Sequence, residues 1–203
     1  MDLIGLNNSV FRYQMNFLAH AYLAHPSVPL TIGNFIADFV KGRQIEQYRP
    51  EITEGIVMHR KIDTFTDNHR VFKLSRSRIR HRYNHYSGVI IDLFYDHFLA
   101  RNWMDYSDTP LDRFTVGLYN IMLDHEHIMP EKARYMLPFM VKSNWLLNYA
   151  TVDGIDRSLK GLSRRTRFRS GMENACQELL KHYDDLQNDF RSFFPDIIDF
   201  IGQ

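Results

Sequence analysis

Four predicted helices in the first half of the chain carry ionisable side chains among residues that would otherwise form a hydrophobic core. These side chains are His20, Asp38, His59, Asp63, Asp92 and Asp96. A helix that buries carboxylates and imidazoles must neutralise, pair or ligate them, because an isolated buried charge is costly. The pattern is therefore typical of a metal site.

Spacing places two pairs of these residues on single helix faces. Residues four apart on an α-helix project in the same direction, so His59 aligns with Asp63 and Asp92 aligns with Asp96. Two such helices that face each other form a pocket lined by possible metal ligands.

The other two candidates flank a short proline-containing segment. Pro26 and Pro29 lie between His20 and Asp38, which indicates a tight reversal that brings the first helix beside the second. We therefore expect His20 and Asp38 to complete the pocket.

The ligand types indicate the chemistry. Oxygen and imidazole ligands without a thiolate suit Mn²⁺, Mg²⁺ or Fe²⁺ better than a structural zinc ion. A metal held in this way acidifies a bound water and neutralises phosphate charge, so the predicted reaction is hydrolysis of a phosphoester. Arg60, Lys61 and Arg101 border the cluster and are predicted to bind phosphate oxygens.

Solvated ion pairs are the alternative explanation, because they are the commoner origin of a His and an Asp four residues apart. The surroundings favour burial, since Asp38 follows three apolar residues and Asp96 lies inside the apolar run 93–99. The Asp-His-Glu-His run at 124–127 stands at a predicted helix end before Pro130, and there we expect a solvated helix cap.

The elements that position these residues are predicted to be helices. Apolar residues recur at helical spacing along most of the chain, and strand alternation is nearly absent. The expected fold is a single compact all-α domain over residues 15–203, preceded by an extension at 1–14. Proline and glycine punctuation predicts nine helices, near 15–24, 31–40, 51–67, 69–83, 88–103, 110–126, 130–150, 153–163 and 171–191.

Composition narrows the class of protein. The chain of 203 residues is 44% hydrophobic, enough to bury one substantial core, and its formal net charge is only +1. Cys176 is the single cysteine, which rules out a disulfide framework and a cysteine-rich metal motif and fits a reducing cytoplasm. We expect no membrane span and no signal peptide, because charges interrupt every apolar run.

Two segments are rich in arginine, at 76–82 and 157–169, and include Arg164 and Arg165. Such segments supply a complementary surface for an acidic protein partner, although a solvated basic face is an equally good explanation from the sequence alone. No recognised nucleic-acid-binding motif accompanies them, so a nucleic acid partner is not expected.

Five stretches of the chain match the motifs of a known family. They are MNFLAH (15–20), GNFIADFVKG (33–42), GIVMHRKIDTFTDN (55–68), DLFYDHFLARNW (92–103) and, more faintly, GLSRRTRF (161–168). At these residues the chain resembles the acyl carrier protein phosphodiesterase family, which is itself similar to the helical HD phosphohydrolases in an irregular form. The adjacent His-Asp pair of those enzymes is missing here, since Ala37 precedes Asp38.

This resemblance implies a distorted HD-like fold and hydrolysis of the phosphodiester that joins 4′-phosphopantetheine to a serine of holo-acyl carrier protein. It also implies a divalent metal, Mn²⁺ first among the candidates. The expected metal ligands are His20, Asp38, His59 and Asp96. The expected catalytic residues are Asp38, Asp63 and Asp92, and the expected substrate-binding residues are Arg60, Lys61, Arg101, Arg164 and Arg165.

Two other functions remain open at this point. A phosphohydrolase acting on a free nucleotide would use the same cluster but would need a closed pocket with aromatic stacking. A helical interaction module would use the same residues as structural ion pairs. Metal content after purification distinguishes the module from both enzymes.

Overall fold

Helices make up the regular structure of the chain. The computed structural model describes residues 16–166 and 169–202, and no β-strand occurs within these two ranges. The all-α prediction is therefore confirmed, whereas the proposed extension at 1–14 lies outside the described residues. The α-helices are α1 (Phe17–Ala24), α2 (Val28–Ile36), α3 (Pro50–Asn68), α4 (Arg70–Tyr83), α5 (Ser87–Arg101), α6 (Leu111–Asp124), α7 (Glu131–Lys142), α8 (Trp145–Asn148), α9 (Val152–Arg165), α10 (Cys176–Lys181) and α11 (Tyr183–Ile201).

The second helix begins earlier and ends earlier than predicted. Ser27 caps its N-terminus by accepting a hydrogen bond from the Leu30 N–H at 3.5 Å, and Pro29 occupies the first turn, where no N–H is needed. The α-helix stops at Ile36, so Asp38 lies in the following 3₁₀ turn, Ala37–Phe39, and not within the helix.

The predicted helix at 130–150 is two helices, α7 and α8. Asn144 separates them with a φ of 42°, a left-handed conformation that interrupts a right-handed helix and that asparagine tolerates better than most residues.

The last predicted helix also differs from the structure. The region 171–191 contains a 3₁₀ turn, then α10, and then α11, which runs on through Pro195 to Ile201. Phe190, Phe193, Phe194 and Ile197 form a continuous buried stripe on α11. The packing of this stripe outweighs the one backbone hydrogen bond that Pro195 removes.

Helices α2 and α3 are in direct backbone contact at two glycines. A Cβ on Gly33 would lie 2.1 Å from the carbonyl oxygen of Ile52, and a Cβ on Gly55 would lie 2.4 Å from that of Leu30. Only glycine permits this approach. Because the helices touch here, Asn34 on α2 comes within reach of side chains one turn further along α3.

Helix α5 lies at the centre of the hydrophobic core. Its residues from Ile90 to Ala100 are all buried, so its polar side chains Asp92, Asp96 and His97 must find partners inside the protein. Apolar side chains from α1 through α11 surround it in one cluster. Among the described residues, no helix has the length and apolar character needed to cross a membrane.

Candidate metal centre

Three predicted site residues converge where α1 and α3 meet. The Nε2 atoms of His20 and His59 each lie 3.3 Å from a carboxylate oxygen of Asp63, one on either oxygen. The two imidazole rings stack with their centroids 4.1 Å apart. One ligand atom from each of the three residues lies within 4.8 Å of the others, a spacing that a single metal ion can bridge.

Asn34 on α2 orients both imidazoles. Its Oδ1 atom lies 2.7 Å from Nδ1 of His20 and 3.0 Å from Nδ1 of His59. An amide oxygen can only accept, so both Nδ1 atoms carry the hydrogen and donate it. The Nε2 atoms then face Asp63, which is the orientation that metal-ligating histidines require.

Several buried polar atoms of this cluster lack a hydrogen-bond partner within the described ranges. They include Nε2 of His20, Nε2 of His59 and Oδ1 of Asp63. Unpaired buried polar groups cost free energy, and here they converge on one point. Two imidazole nitrogens and a carboxylate without thiolate are a donor set for Mn²⁺, Fe²⁺ or Mg²⁺. The residues therefore fit the predicted metal.

The electrostatics of the three residues are strongly coupled. Burial lowers the pKa of His20, and the adjacent His59 lowers it further. Burial also opposes protonation of His59, but contacts with the carboxylates of Asp38 and Asp63 outweigh it and raise the pKa to about 10. Burial would raise the pKa of Asp63, yet the two histidines hold it well below its usual value. A proton on His59 thus occupies the place that a cation would take.

Asp38 adjoins this cluster on one side. Its Oδ1 atom lies 3.4 Å from Nε2 of His59, and its side chain is 20% exposed, against 15% for Asp63 and 4% for His20. Asp38 is therefore the cluster residue that combines contact with a histidine and the greatest access to solvent.

The structure does not bring Asp96 to the other expected ligands. Its Oδ2 accepts the N–H of Leu18 at 3.0 Å and its Oδ1 accepts the N–H of Ala19 at 2.9 Å, so both oxygens cap the N-terminus of α1. Burial raises the pKa of Asp96 to about 8, although these two N–H groups oppose the change. Asp96 holds the helix that carries His20.

Asp92 lies apart from the histidines as well. It is buried and lines a small cavity with Asn16, Ile62 and Thr66. Burial, followed by the charge of Asp63, raises the pKa of Asp92 well above its usual value. Asp92 is therefore a buried carboxyl group beside the cluster, and its expected catalytic role stays a prediction.

The three predicted phosphate-binding residues near the cluster take different positions. The Arg60 guanidinium donates to the carbonyl oxygen of Val40 at 3.3 Å and so stays at the rim beside the Asp38 turn. Lys61 is exposed and lies on the opposite side of α3 from His59 and Asp63. Arg101 is exposed at the far end of α5, where it influences the pKa of His97 and Tyr183.

Most of the arginines at 76–82 are paired within the protein. Arg78 and Arg82 form short ion pairs with Asp189 and Glu178, and Arg76 lies 3.5 Å from Asp67. Glu178 is 1% exposed, so the ion pair that Arg82 makes reaches into the interior.

Arg164 and Arg165 lie at the exposed end of α9. The Arg165 guanidinium sits over the Trp145 ring, 5.3 Å from its centroid. Arg157 and Arg165 line a cleft of about 160 Å³ between α8 and α9, and no carboxylate is among its lining residues.

Asn34 is the site residue that sequence reasoning missed. It follows Gly33 in an apolar run, and a buried amide in such a run is a weak signal that becomes informative only with His20 and His59 in place. The run at 124–127 behaves as expected for a helix end, since α6 ends at Asp124 and Nδ1 of His125 donates to the carbonyl oxygen of Ile121.

Comparison with known proteins identifies the family of the chain. A family model described as acyl carrier protein phosphodiesterase matches residues 15–197. The chain belongs to the acyl carrier protein phosphodiesterase family. The predicted family is therefore confirmed, and membership places the chain in a family of enzymes, as expected.

Curated relatives of the acyl carrier protein phosphodiesterase family match most of the chain. A protein named acyl carrier protein phosphodiesterase from Photorhabdus laumondii subsp. laumondii is 34% identical over 89% of this chain and 92% of its own length. Two other proteins of the same name are similar to this chain. The one from Klebsiella pneumoniae is 34% identical over 91% of this chain and 96% of its own length. The one from Salmonella agona is 35% identical over 89% of this chain and 94% of its own length. No solved structure matches the chain significantly, so the expected likeness to HD phosphohydrolases stays a prediction.

Proposed function

We propose that this protein is a metal-dependent phosphodiesterase that removes 4′-phosphopantetheine from the serine of holo-acyl carrier protein. Hydrolysis breaks the bond between phosphorus and the serine oxygen. The water supplies its hydroxyl to phosphorus and a proton to the serine oxygen, so the products are apo-acyl carrier protein and free 4′-phosphopantetheine. Family membership supports the substrate, and the cluster of His20, His59 and Asp63 supports the dependence on metal.

The observation that carries the proposal is the convergence of buried ligand atoms from three residues on one point. His20, His59 and Asp63 would hold the metal, with Asp38 beside them. A divalent cation bound there would lower the pKa of a water and neutralise phosphate charge. Mn²⁺ is the metal that the family resemblance favours, and Mg²⁺ and Fe²⁺ have the same ligand preferences.

Other residues of the chain would orient the ligands, accept a proton and bind the phosphate. Asn34 fixes the tautomer of both histidines, and Asp96 fixes the helix that carries His20. Asp38 is the most solvent-accessible carboxylate of the cluster, so it is placed to accept a proton from the attacking water. Arg60 at the rim is placed to bind a phosphate oxygen.

The proposed partner is an acidic carrier protein, and the cleft between α8 and α9 is the surface that suits it. Arg157 and Arg165 line this cleft, no carboxylate is among its lining residues, and the Trp145 ring orients the Arg165 guanidinium. Arg164 is exposed next to them. A positive surface of this kind steers an acidic partner and fixes its register.

The α8–α9 cleft is also close to the cluster. Trp145 lines the cleft, and its neighbour Leu146 lines the cavity that contains His20, Asp38 and His59. A carrier bound at the cleft therefore lies one helix away from the metal centre. The arginines of α4 are a weaker candidate surface, because α10 and α11 already neutralise Arg78 and Arg82.

The cytoplasm is the proposed location. It rests on the single cysteine, Cys176, which suits a reducing compartment, and on a carrier protein as the substrate.

The deciding experiment incubates the metal-free protein with holo-acyl carrier protein, with and without Mn²⁺, and measures the intact mass of the carrier. We expect loss of the phosphopantetheine group only when Mn²⁺ is present. The matched control is Asp124→Ala, which removes an exposed carboxylate at the end of α6 and should act like the wild type. An unchanged carrier together with hydrolysis of free nucleotides would favour the alternative phosphohydrolase.

A further inference from the structure

A groove lies between α1, α6, the 106–109 loop and the end of α11. Its volume is about 610 Å³, within the range of roughly 300–1,000 Å³ that small-molecule sites occupy. The metal centre does not use it. Its apolar lining includes Leu23, Phe114, Ile121, Ile198 and Ile201.

The groove adjoins the cavity of the metal centre. Ala21, Thr31 and Leu118 line both spaces, so a single layer of side chains, two of them small, lies between them. Ala21 follows His20 on α1, and Thr31 lies one turn before Asn34 on α2. A long substituent on a group bound at the metal centre would therefore have to displace only this one layer of side chains to enter the groove.

The polar groups of the groove suit a ligand that carries hydrogen-bond acceptors. No aspartate or glutamate is among its lining residues, and Arg113, which makes no ion pair with any described residue, offers five N–H donors. Thr31 and Ser107 add hydroxyl groups. Apolar walls with a few polar groups suit a chain of methylene groups and amides.

We propose that this groove binds the pantetheine arm of the substrate, the uncharged diamide chain that the proposed reaction releases with its phosphate. The inference rests on the proposed function. It also explains the order of three spaces along the protein: the α8–α9 cleft meets the carrier, the metal centre meets the phosphodiester, and the groove receives the arm on the far side.

Gly117 on α6 provides a sharp test. It lines the groove, and a Cβ added there would meet no atom within 4 Å. A larger side chain is therefore compatible with the fold, and on a helix it leans back towards Arg113 and Phe114, across the groove. Gly117→Trp should fill the space that the arm needs. Val116→Trp is the matched control, because Val116 is the adjacent residue, 55% exposed, and lines none of the three spaces.

The first measurement is the ratio of kcat/KM for holo-acyl carrier protein to kcat/KM for bis(4-nitrophenyl) phosphate, which lacks the arm. We expect this ratio to fall about tenfold or more in Gly117→Trp and to stay at the wild-type value in Val116→Trp. An unchanged ratio in a folded Gly117→Trp protein would overturn the inference. Melting temperatures of both variants check that they fold.

The second measurement uses free pantetheine, which has no phosphodiester, and follows amide chemical shifts of the wild-type protein. We expect shifts at Gly117 and Ile201 in the wild type and their loss in Gly117→Trp. This outcome supports the groove even if the carrier is not hydrolysed, in which case only the proposed function fails. Absence of binding at these residues in a protein that does hydrolyse the carrier contradicts the groove alone.

Discussion

The imidazole rings of His20 and His59 stack 4.1 Å apart, although 38 positions separate them along the chain. Shared partners hold the two rings together. Both donate Nδ1–H to the same oxygen of Asn34, and both direct Nε2 towards Asp63. The stack therefore presents two parallel nitrogen ligands to one carboxylate.

Replacing Asn34 should weaken metal binding without removing a ligand. In Asn34→Leu both Nδ1 hydrogens lose their acceptor, so the rings can rotate, and we expect metal affinity to fall about 10–100-fold. Isothermal titration with Mn²⁺ measures the change. Asn34→Asp keeps an acceptor oxygen and should bind metal more tightly than Asn34→Leu, and equal affinities of the two variants would refute the orienting role.

Asp38→Ala should abolish hydrolysis and leave a folded helical protein, because Asp38 contacts the cluster from a partly exposed 3₁₀ turn. The intact mass of the carrier measures hydrolysis, and circular dichroism measures whether the variant is still helical. Asp124→Ala serves as the control carboxylate. Full activity of Asp38→Ala at saturating Mn²⁺ would remove Asp38 from the mechanism, and loss of metal from Asp124→Ala would move the metal site elsewhere.

Metal affinity should rise with pH. Without metal, His59 has a pKa of about 10, above its usual 6.5, so its proton must leave before the nitrogen can bind a cation. Each unit of pH below 10 then costs about tenfold in affinity, and His20, whose pKa is lowered, adds no such dependence. Chelator competition at pH 6.5, 7.5 and 8.5 measures the slope, and a flat profile would contradict the assignment.

The same shift affects the stability of the metal-free protein with the opposite sign. A raised pKa in the folded state means that the ion pairs of His59 stabilise the fold fully below pH 6.5 and are lost as the pH rises towards 10. Denaturant titration of the chelated protein between pH 6.5 and 9 should show this decline, and saturating Mn²⁺ should reduce it.

Asp96→Ala should destabilise the protein by about 2 kcal/mol, because it leaves the N–H groups of Leu18 and Ala19 without their acceptor. We expect Asp96→Asn to lose less, since one oxygen remains. Both variants should still bind one metal ion at saturation. Loss of metal without loss of stability would instead make Asp96 a ligand.

The two arginine-rich segments should respond differently to substitution. The double variant Arg164→Glu, Arg165→Glu should raise the KM for the carrier about tenfold and leave kcat largely unchanged. Added salt should have the same effect on the wild type, because exposed charges more than about 8 Å apart are screened. Hydrolysis of bis(4-nitrophenyl) phosphate should not change. Damage to both substrates would place these arginines at the phosphate.

Arg82→Ala should act on stability instead of on KM. It leaves the carboxylate of Glu178, 1% exposed, with the His182 contact at 3.7 Å as its one remaining ion pair among the described residues. We expect a loss of about 1–3 kcal/mol in the free energy of unfolding and an unchanged KM. A raised KM with an unchanged melting temperature would instead indicate that the arginines of α4 bind the carrier.

Several features of this protein follow from the sequence alone. Helical periodicity and punctuation predict an all-α fold, and the four-residue spacing of His59 and Asp63 places both on one face of α3. The quoted motifs identify the family. These are properties of local order along the chain, so a local pattern is sufficient to predict them.

Helix boundaries depend partly on contacts that are distant in sequence. Proline and glycine do not mark the break at Asn144, which requires a left-handed backbone, and α11 continues past residue 191 because its aromatic stripe packs on the core. Local punctuation predicts where a helix can end, and tertiary packing decides whether it does.

Only the tertiary structure decides which partners the site residues meet. Asp92 and Asp96 share the spacing of a ligand pair, yet the packing of α1 on α5 turns both oxygens of Asp96 to the α1 N-terminus. Asn34 reaches both histidines because Gly33 and Gly55 let α2 and α3 touch. Helical spacing specifies the direction of a side chain relative to its own helix, whereas the atom it meets depends on how the helices pack, and that packing is a property of the whole core.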